Sequence, residues 1–331
     1  MRKPKLLLLL LYMLSTLLVL SCAEEDDPIP HITDEEYNNY VDSHYDASLC
    51  YFQNNALPVG KESLRVLAIG NSYTTDGVML LNELFTSCGI TSQNCCVYAV
   101  TSGGASLEYW ANMISNDSDI VAHRFAGSLN MGIRNGTLKE ILSCPWDVVV
   151  LQQYSGNALQ YSTFNPYLRE LIDAIRNNCT NPDVVIAWQM VWAYSTKEGT
   201  RPVGEERWKR ICMATKQQMI EDGIDVVIPT GTAIQNGRCT SLCDIGELTT
   251  DNIHLNRGVG RYIAACTWFE TLFAPVFGCS MYGCDAVYAI TDDDISVSKY
   301  APIPVDASNN FLCQKCAYMA VRNWFHISQI E

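Results

Sequence analysis

The sequence predicts an α/β domain built on a parallel sheet with helices on both faces, and three observations carry that expectation. Five short aliphatic runs recur along the chain, at Leu64–Ile69, Cys95–Val100, Val148–Leu151, Val184–Trp188 and Val226–Ile228. They show little polar alternation, as strands buried on both faces do. Amphipathic stretches separate them, around residues 77–87, 106–116, 164–178 and 203–222, and a last one runs from Asn256 to about Phe273. Strand–helix alternation of this kind joins parallel strands through crossover helices. Finally, small and polar residues cluster directly after the strands, where open α/β sheets hold their ligands.

In chain order, the first segment is a targeting signal. Arg2, Lys3 and Lys5 precede the apolar run Leu6–Leu20, which is shorter than the ~20 residues of a spanning helix and reads as a signal peptide. Val19-Leu20-Ser21-Cys22 follows and resembles a lipobox, with Cys22 as the lipidated residue. The expected product is exported and lipid-anchored to the outer membrane, on its periplasmic or outer face. Residues 23–60 are acidic and polar with scattered prolines, an expected tether and lead-in. One domain is expected over 61–331, with a C-terminal extension from about residue 275. In that extension Asp292-Asp293-Asp294 suits a loop or helix start, and Phe311–Phe325 has helical spacing.

A formal net charge of −14, from 36 acidic and 22 basic residues, repels phosphate backbones and excludes nucleic acid as a partner. The chain has 15 cysteines; discounting Cys22 leaves an even number, which permits disulfides in an exported protein without fixing any pairing. Cys313-x-x-Cys316, Cys239-x3-Cys243 and Cys279-x4-Cys284 lack a second clip at finger-like spacing, so disulfides or buried thiols are expected rather than a metal.

Four polar sets fall on the carboxyl edge of the expected sheet: Gly70-Asn71-Ser72, Thr101-Ser102-Gly103-Gly104, Gln152-Gln153-Tyr154-Ser155, and Asp251-Asn252-Ile253-His254 before the last long helix. Serine becomes a nucleophile when a histidine takes its proton, and the histidine works best when a carboxylate holds its other ring nitrogen. Ser72 on a strand-to-helix turn, with Asp251 and His254 three residues apart in one loop, meets that requirement. The N–H groups of Ser72 and Gly104 and the Gln152 side-chain amide are the expected oxyanion donors, with Gln153 as the alternative amide.

Val66-Leu67-Ala68-Ile69-Gly70-Asn71-Ser72-Tyr73 resembles the first block of the SGNH, or GDSL-like, hydrolases, with Asn71 where many members have aspartate. Ser102-Gly103-Gly104-Ala105-Ser106-Leu107 is similar to their glycine block, and Thr250-Asp251-Asn252-Ile253-His254-Leu255 to their closing Asp-x-x-His block. Their usual Gly-x-Asn block is replaced by Val149-Val150-Leu151-Gln152-Gln153-Tyr154-Ser155, which resembles a Bacteroidota branch, the DUF4886 group. The resemblance implies a flavodoxin-like three-layer α/β/α sandwich, no metal or other cofactor, and a serine esterase acting through an acyl-enzyme. The export signal adds acylated glycans, such as acetyl esters, as the expected substrates. A glycan-binding lipoprotein without turnover and an acyltransferase are the alternatives on the same fold. Trp110, Tyr154 and Trp192 are the expected sugar-stacking rings, while Trp188 is expected in the core.

Overall fold

The computed structural model describes residues 31–43, 56–133, 135–195 and 204–330. The expected signal peptide, the expected lipobox with Cys22 and the acidic stretch after it lie outside the described residues. Thr33–Glu331 forms one compact unit. No helix of the described residues is long and apolar enough to cross a membrane.

The elements run in the order α1 (Asp34–Ser43), β1 (Leu64–Gly70), α2 (Ser72–Val78), α3 (Leu81–Ser87), β2 (Cys95–Thr101), α4 (Leu107–Ser115), β3 (Asp119–Ile120), β4 (His123–Gly127), β5 (Gly136–Thr137), α5 (Leu138–Leu142), β6 (Val148–Leu151), α6 (Tyr167–Asn178), β7 (Val185–Gln189), α7 (Glu205–Asp222), β8 (Val226–Ile228), α8 (Thr230–Arg238), α9 (Leu242–Ile245), α10 (Val259–Trp268), α11 (Ala274–Phe277), α12 (Asp292–Ser296) and α13 (Asn310–Arg322). A π-helical turn, Phe269–Phe273, joins α10 to α11.

The main sheet has the order β4-β2-β1-β6-β7-β8. Five strands are parallel, in the flavodoxin order, and they are the five aliphatic runs. Every residue of β6, β7 and β8 is buried, because helices cover both faces and no side chain of these strands needs to meet water. The sixth strand, β4, pairs antiparallel with β2 at the edge; its sequence His-Arg-Phe-Ala-Gly carries no apolar run and gave no signal. A two-residue ladder joins β3 to β5.

The flanking helices complete a three-layer α/β/α sandwich. One group comprises α4, α5 and α6; in the other, α10 packs against α2, α3, α8 and α13. Leu168, Leu171, Ile172 and Ile175 of α6 are buried, the 3-4 spacing that lines one helical face. Thr137 starts α5 with a reciprocal capping box to Glu140, which satisfies two orphan N–H donors.

Two segments differ from the expected tether and extension. Within 23–60, α1 is folded onto α7: Tyr37 and Val41 are buried, the Tyr37 ring lies 5.4 Å from that of Trp208, and Tyr37 donates its hydroxyl hydrogen to the Phe325 carbonyl. Residues 275–331 are not an appendage, since α13 covers α8 and α10 and buries Cys313, Gln314, Cys316, Ala317 and Ala320. Asn236 donates to the Cys316 carbonyl and accepts from the Ser328 N–H. The described cysteines are all unbridged, and Cys95 and Cys96 are wholly buried in β2.

Asn256 stitches the extension to the sheet's carboxyl edge. Its amide donates to the Glu247 and Ala301 carbonyls and accepts from the Gly258 and Ile303 N–H groups, and the residue is wholly buried. Asn256→Ala removes all four bonds and leaves the buried Gly258 and Ile303 N–H groups without their acceptor, and each lost buried partner is costly. Chemical denaturation of this variant should give an unfolding free energy lower by roughly 2–4 kcal/mol; a loss below the experimental error would contradict the stitching role.

Candidate active site

The site is assembled at the carboxyl edge between β1 and β6, where the strand order reverses. Asn71 caps α2: its side chain accepts from the Tyr73 N–H at 3.0 Å and donates to the Ala105 carbonyl at 3.0 Å. One buried amide thus shapes the turn that presents Ser72 and ties that turn to the glycine loop. Gly70 is required there, because a Cβ would collide with Thr74 Oγ1 and the Gln152 amide. Ser72, the first residue of α2, is partly exposed, and its N–H belongs to the helical turn that has no intrahelical acceptor.

The second half is a narrow loop closed by an antiparallel bridge between Thr249 and Leu255 and by the Thr250 N–H donating to the His254 carbonyl at 2.8 Å. At its tip Asn252 adopts φ +75°, a left-handed conformation that asparagine tolerates. Its side-chain oxygen accepts from the Tyr300 hydroxyl at 3.1 Å and its carbonyl from the Ser195 N–H at 2.8 Å.

This loop brings Asp251 and His254 to Ser72. His254 Nε2 lies 2.9 Å from Ser72 Oγ, and Nδ1 lies 2.7 Å from Asp251 Oδ2. Asp251 Oδ1 accepts from the Ile253 and His254 N–H groups. Burial opposes ionisation of Asp251, but these hydrogen bonds, led by the His254 ring, outweigh it and hold the carboxyl at about 2. The Asp251 hydrogen bond in turn raises His254 from the ordinary histidine value, with burial opposing and the charge of Asp76 assisting. A serine hydroxyl, an imidazole and an ionised carboxylate in series can transfer the serine proton and stabilise the resulting imidazolium.

Asp76 and Arg261 had no place in the sequence reading. Asp76 is buried on α2, one turn beyond Ser72. Its Oδ2 accepts from the Leu255 N–H at 2.9 Å, and its Oδ1 pairs with Arg261 Nε at 2.8 Å and Nη2 at 2.7 Å. The carboxylate therefore fastens the helix of Ser72 to the residue after His254. The four-residue spacing from Ser72 was the available signal, since positions i and i+4 share a helix face.

The expected oxyanion donors sort differently. Gly104 is exposed with φ +68° and has open space where a Cβ would be, so the loop needs glycine for conformation rather than for room. Gln153 is committed: its carbonyl oxygen accepts from the Leu107 and Tyr154 N–H groups and its amide donates to Thr163. Gln152 is 1% exposed, and neither end of its amide has a partner.

The ring contacts need correction. Trp110 is 1% exposed and Trp192 is fully buried, so neither presents a ring face on which a sugar could stack. Trp192 instead supports the Thr249–Leu255 loop, stacked 4.0 Å from Tyr73 and donating to the Ile253 carbonyl at 2.8 Å. Tyr154 is partly exposed, and Trp188 is in the core as expected.

A solved DUF4886 family protein from Bacteroides uniformis is 27% identical, with a TM-score of 0.62 over 80% of this chain and 97% of its own. A gut microbial diltiazem-metabolizing enzyme is 14% identical, with a TM-score of 0.42 over 66% of this chain and 49% of its own. An extracellular lipase from Streptomyces rimosus is 12% identical, with a TM-score of 0.34 over 58% of this chain and 93% of its own. No curated protein matches the chain. The model of the family described as a domain of unknown function (DUF4886) matches residues 65–318, a span that holds Ser72, Gly104, Gln152, Asp251 and His254, and the chain belongs to that family.

Proposed function

We propose that the protein is a serine esterase that hydrolyses acyl esters of carbohydrates through an acyl-enzyme on Ser72. The observation that carries the proposal is the unbroken hydrogen-bond series Ser72–His254–Asp251. Ser72 Oγ attacks the acyl carbonyl while His254 Nε2 takes its proton. The oxyanion is received by the N–H groups of Ser72 and Gly104 and by the Gln152 amide, whose unpartnered state supports this role. Collapse expels the sugar oxygen, which leaves as a hydroxyl by taking the proton from His254. Water, deprotonated by His254, then cleaves the Ser72 ester and releases the carboxylic acid. Support for a sugar ester comes from Tyr154, the one of the three expected rings that solvent reaches.

The direct test is hydrolysis of a chromogenic acetyl ester and of an acetylated oligosaccharide by the wild-type chain and by Ser72→Ala. Turnover of both by the wild type, with a loss of about 10³-fold or more in the variant, is expected. Equal rates in the two proteins would overturn the proposal.

The base must be neutral to accept the serine proton, so kcat/KM should fall as pH drops through the raised pKa of His254. The acid limb of the profile is expected at higher pH than an unperturbed histidine would give. Asp251→Asn removes the partner that raises it, so the limb should move to lower pH while kcat falls on the order of 10³-fold. An unmoved limb would show that another group controls it.

Asp76→Asn tests the brace. Removing its negative charge and loosening the Leu255 tie should lower kcat roughly tenfold with little change in KM, and shift the acid limb downward. An unchanged profile would reduce Asp76 to a purely structural role.

A further inference from the structure

A cavity of about 690 Å³ opens beside the π-helical turn, walled by that turn, the Gly278–Tyr282 loop and α13. None of its lining residues belongs to the Ser72 site. Single π turns inside helices are uncommon and recur at functional sites, and this one delivers Glu270 and Thr271 to the cavity wall. Thr271 is 1% exposed and its hydroxyl has no partner, an arrangement that costs free energy unless a ligand or water completes it.

The chemistry around the wall is specific. Glu270 has a side chain only 4% exposed, yet it remains anchored: Oε1 pairs with Arg322 Nη2 at 3.1 Å and Oε2 accepts from Ser280 Oγ at 2.8 Å. The Arg322 guanidinium lies 3.2 Å over the Tyr318 ring, which stacks on Tyr282 at 4.5 Å. Carboxylate and guanidinium compensate each other, so the wall offers fixed donors and acceptors without a net charge. Adjacent hydroxyls on one ring can donate to the carboxylate and accept from the guanidinium together. Tyr318 is held between Arg322 and Tyr282, which fixes the guanidinium, and the neighbouring Ala274 and Val321 supply an apolar flank for the C–H face of such a ring. Neither an anion nor a cation is favoured by that combination.

We propose that this cavity is a second, non-catalytic site that binds a neutral sugar residue, with Glu270 and Arg322 gripping its hydroxyls and Thr271 completing its unmet hydrogen bond. The site stands independently of the esterase reading, because none of its residues takes part in the chemistry at Ser72.

The test is a calorimetric titration of the full chain carrying Ser72→Ala with xylohexaose, mannohexaose and cellohexaose, and with a hexamer of galacturonic acid. At least one neutral hexamer is expected to bind, and Glu270→Gln or Tyr318→Ala added to that background should weaken it about tenfold or more. Arg322→Lys, at a half-exposed position, guards against loss of folding and should weaken binding similarly by breaking the planar grip. Ester hydrolysis in chains with Ser72 intact should survive Arg322→Lys. Binding of none of the neutral hexamers, binding of the acidic hexamer alone, or affinity unchanged in Arg322→Lys would each overturn the proposal.

Discussion

The Asp76 carboxylate, buried between Arg261 and the Leu255 N–H, is the interaction on which the site depends. Ser72 and His254 are far apart in the chain, and their 2.9 Å contact requires α2 and the Thr249–Leu255 loop to keep one fixed relation. Packing alone resists displacement only as well as the neighbouring side chains interlock. A buried ion pair with a directed hydrogen bond has a steeper distance dependence, because a small displacement leaves a charge unpaired away from water. Burying two charges is expensive, and it is tolerable here because Arg261 meets the carboxylate with two nitrogens. The same negative charge favours the protonated form of the His254 ring.

Around that brace, each remaining constraint prevents one kind of slippage. Asn71 fixes the turn before Ser72 and ties it to Ala105. Trp192 lies beneath the loop, against Tyr73 and the Ile253 carbonyl. Tyr300 and Ser195 hold the left-handed Asn252 from two further segments. Residues beyond 275 therefore belong to the site's support, through Tyr300 and through the Asn256 contacts to Ala301 and Ile303. Site geometry of this precision is sustained by such fixed contacts around it.

The parts legible in the sequence were those that burial writes into composition. The five parallel strands show as aliphatic runs because both of their faces are covered. Strand β4 does not, since its edge position lets His123 and Arg124 face water. Helix α8 was missed for the opposite reason: it is buried on all sides, so Thr-Gly-Thr-Ala-Ile-Gln-Asn-Gly-Arg carries no amphipathic stripe. Ser72, Asp251 and His254 were readable because chemistry restricts the residue types and chain order restricts their placement. Which face a residue takes is not written at a strand end. Trp110 and Trp192 turned inward, and Gln153 spent its amide on Leu107, Tyr154 and Thr163, leaving Gln152 unpartnered. Asp76 reads as an ordinary acidic residue in a helix until Arg261 is brought against it by the fold.

The central claim is that Ser72 is a nucleophile activated by His254, and the most direct measurement is covalent trapping. Intact-mass spectrometry after incubation with a fluorophosphonate should show a single adduct that peptide mapping assigns to Ser72, with labelling strongly slowed in His254→Ala. A chain that stays unlabelled, or labels at a different serine, would contradict it.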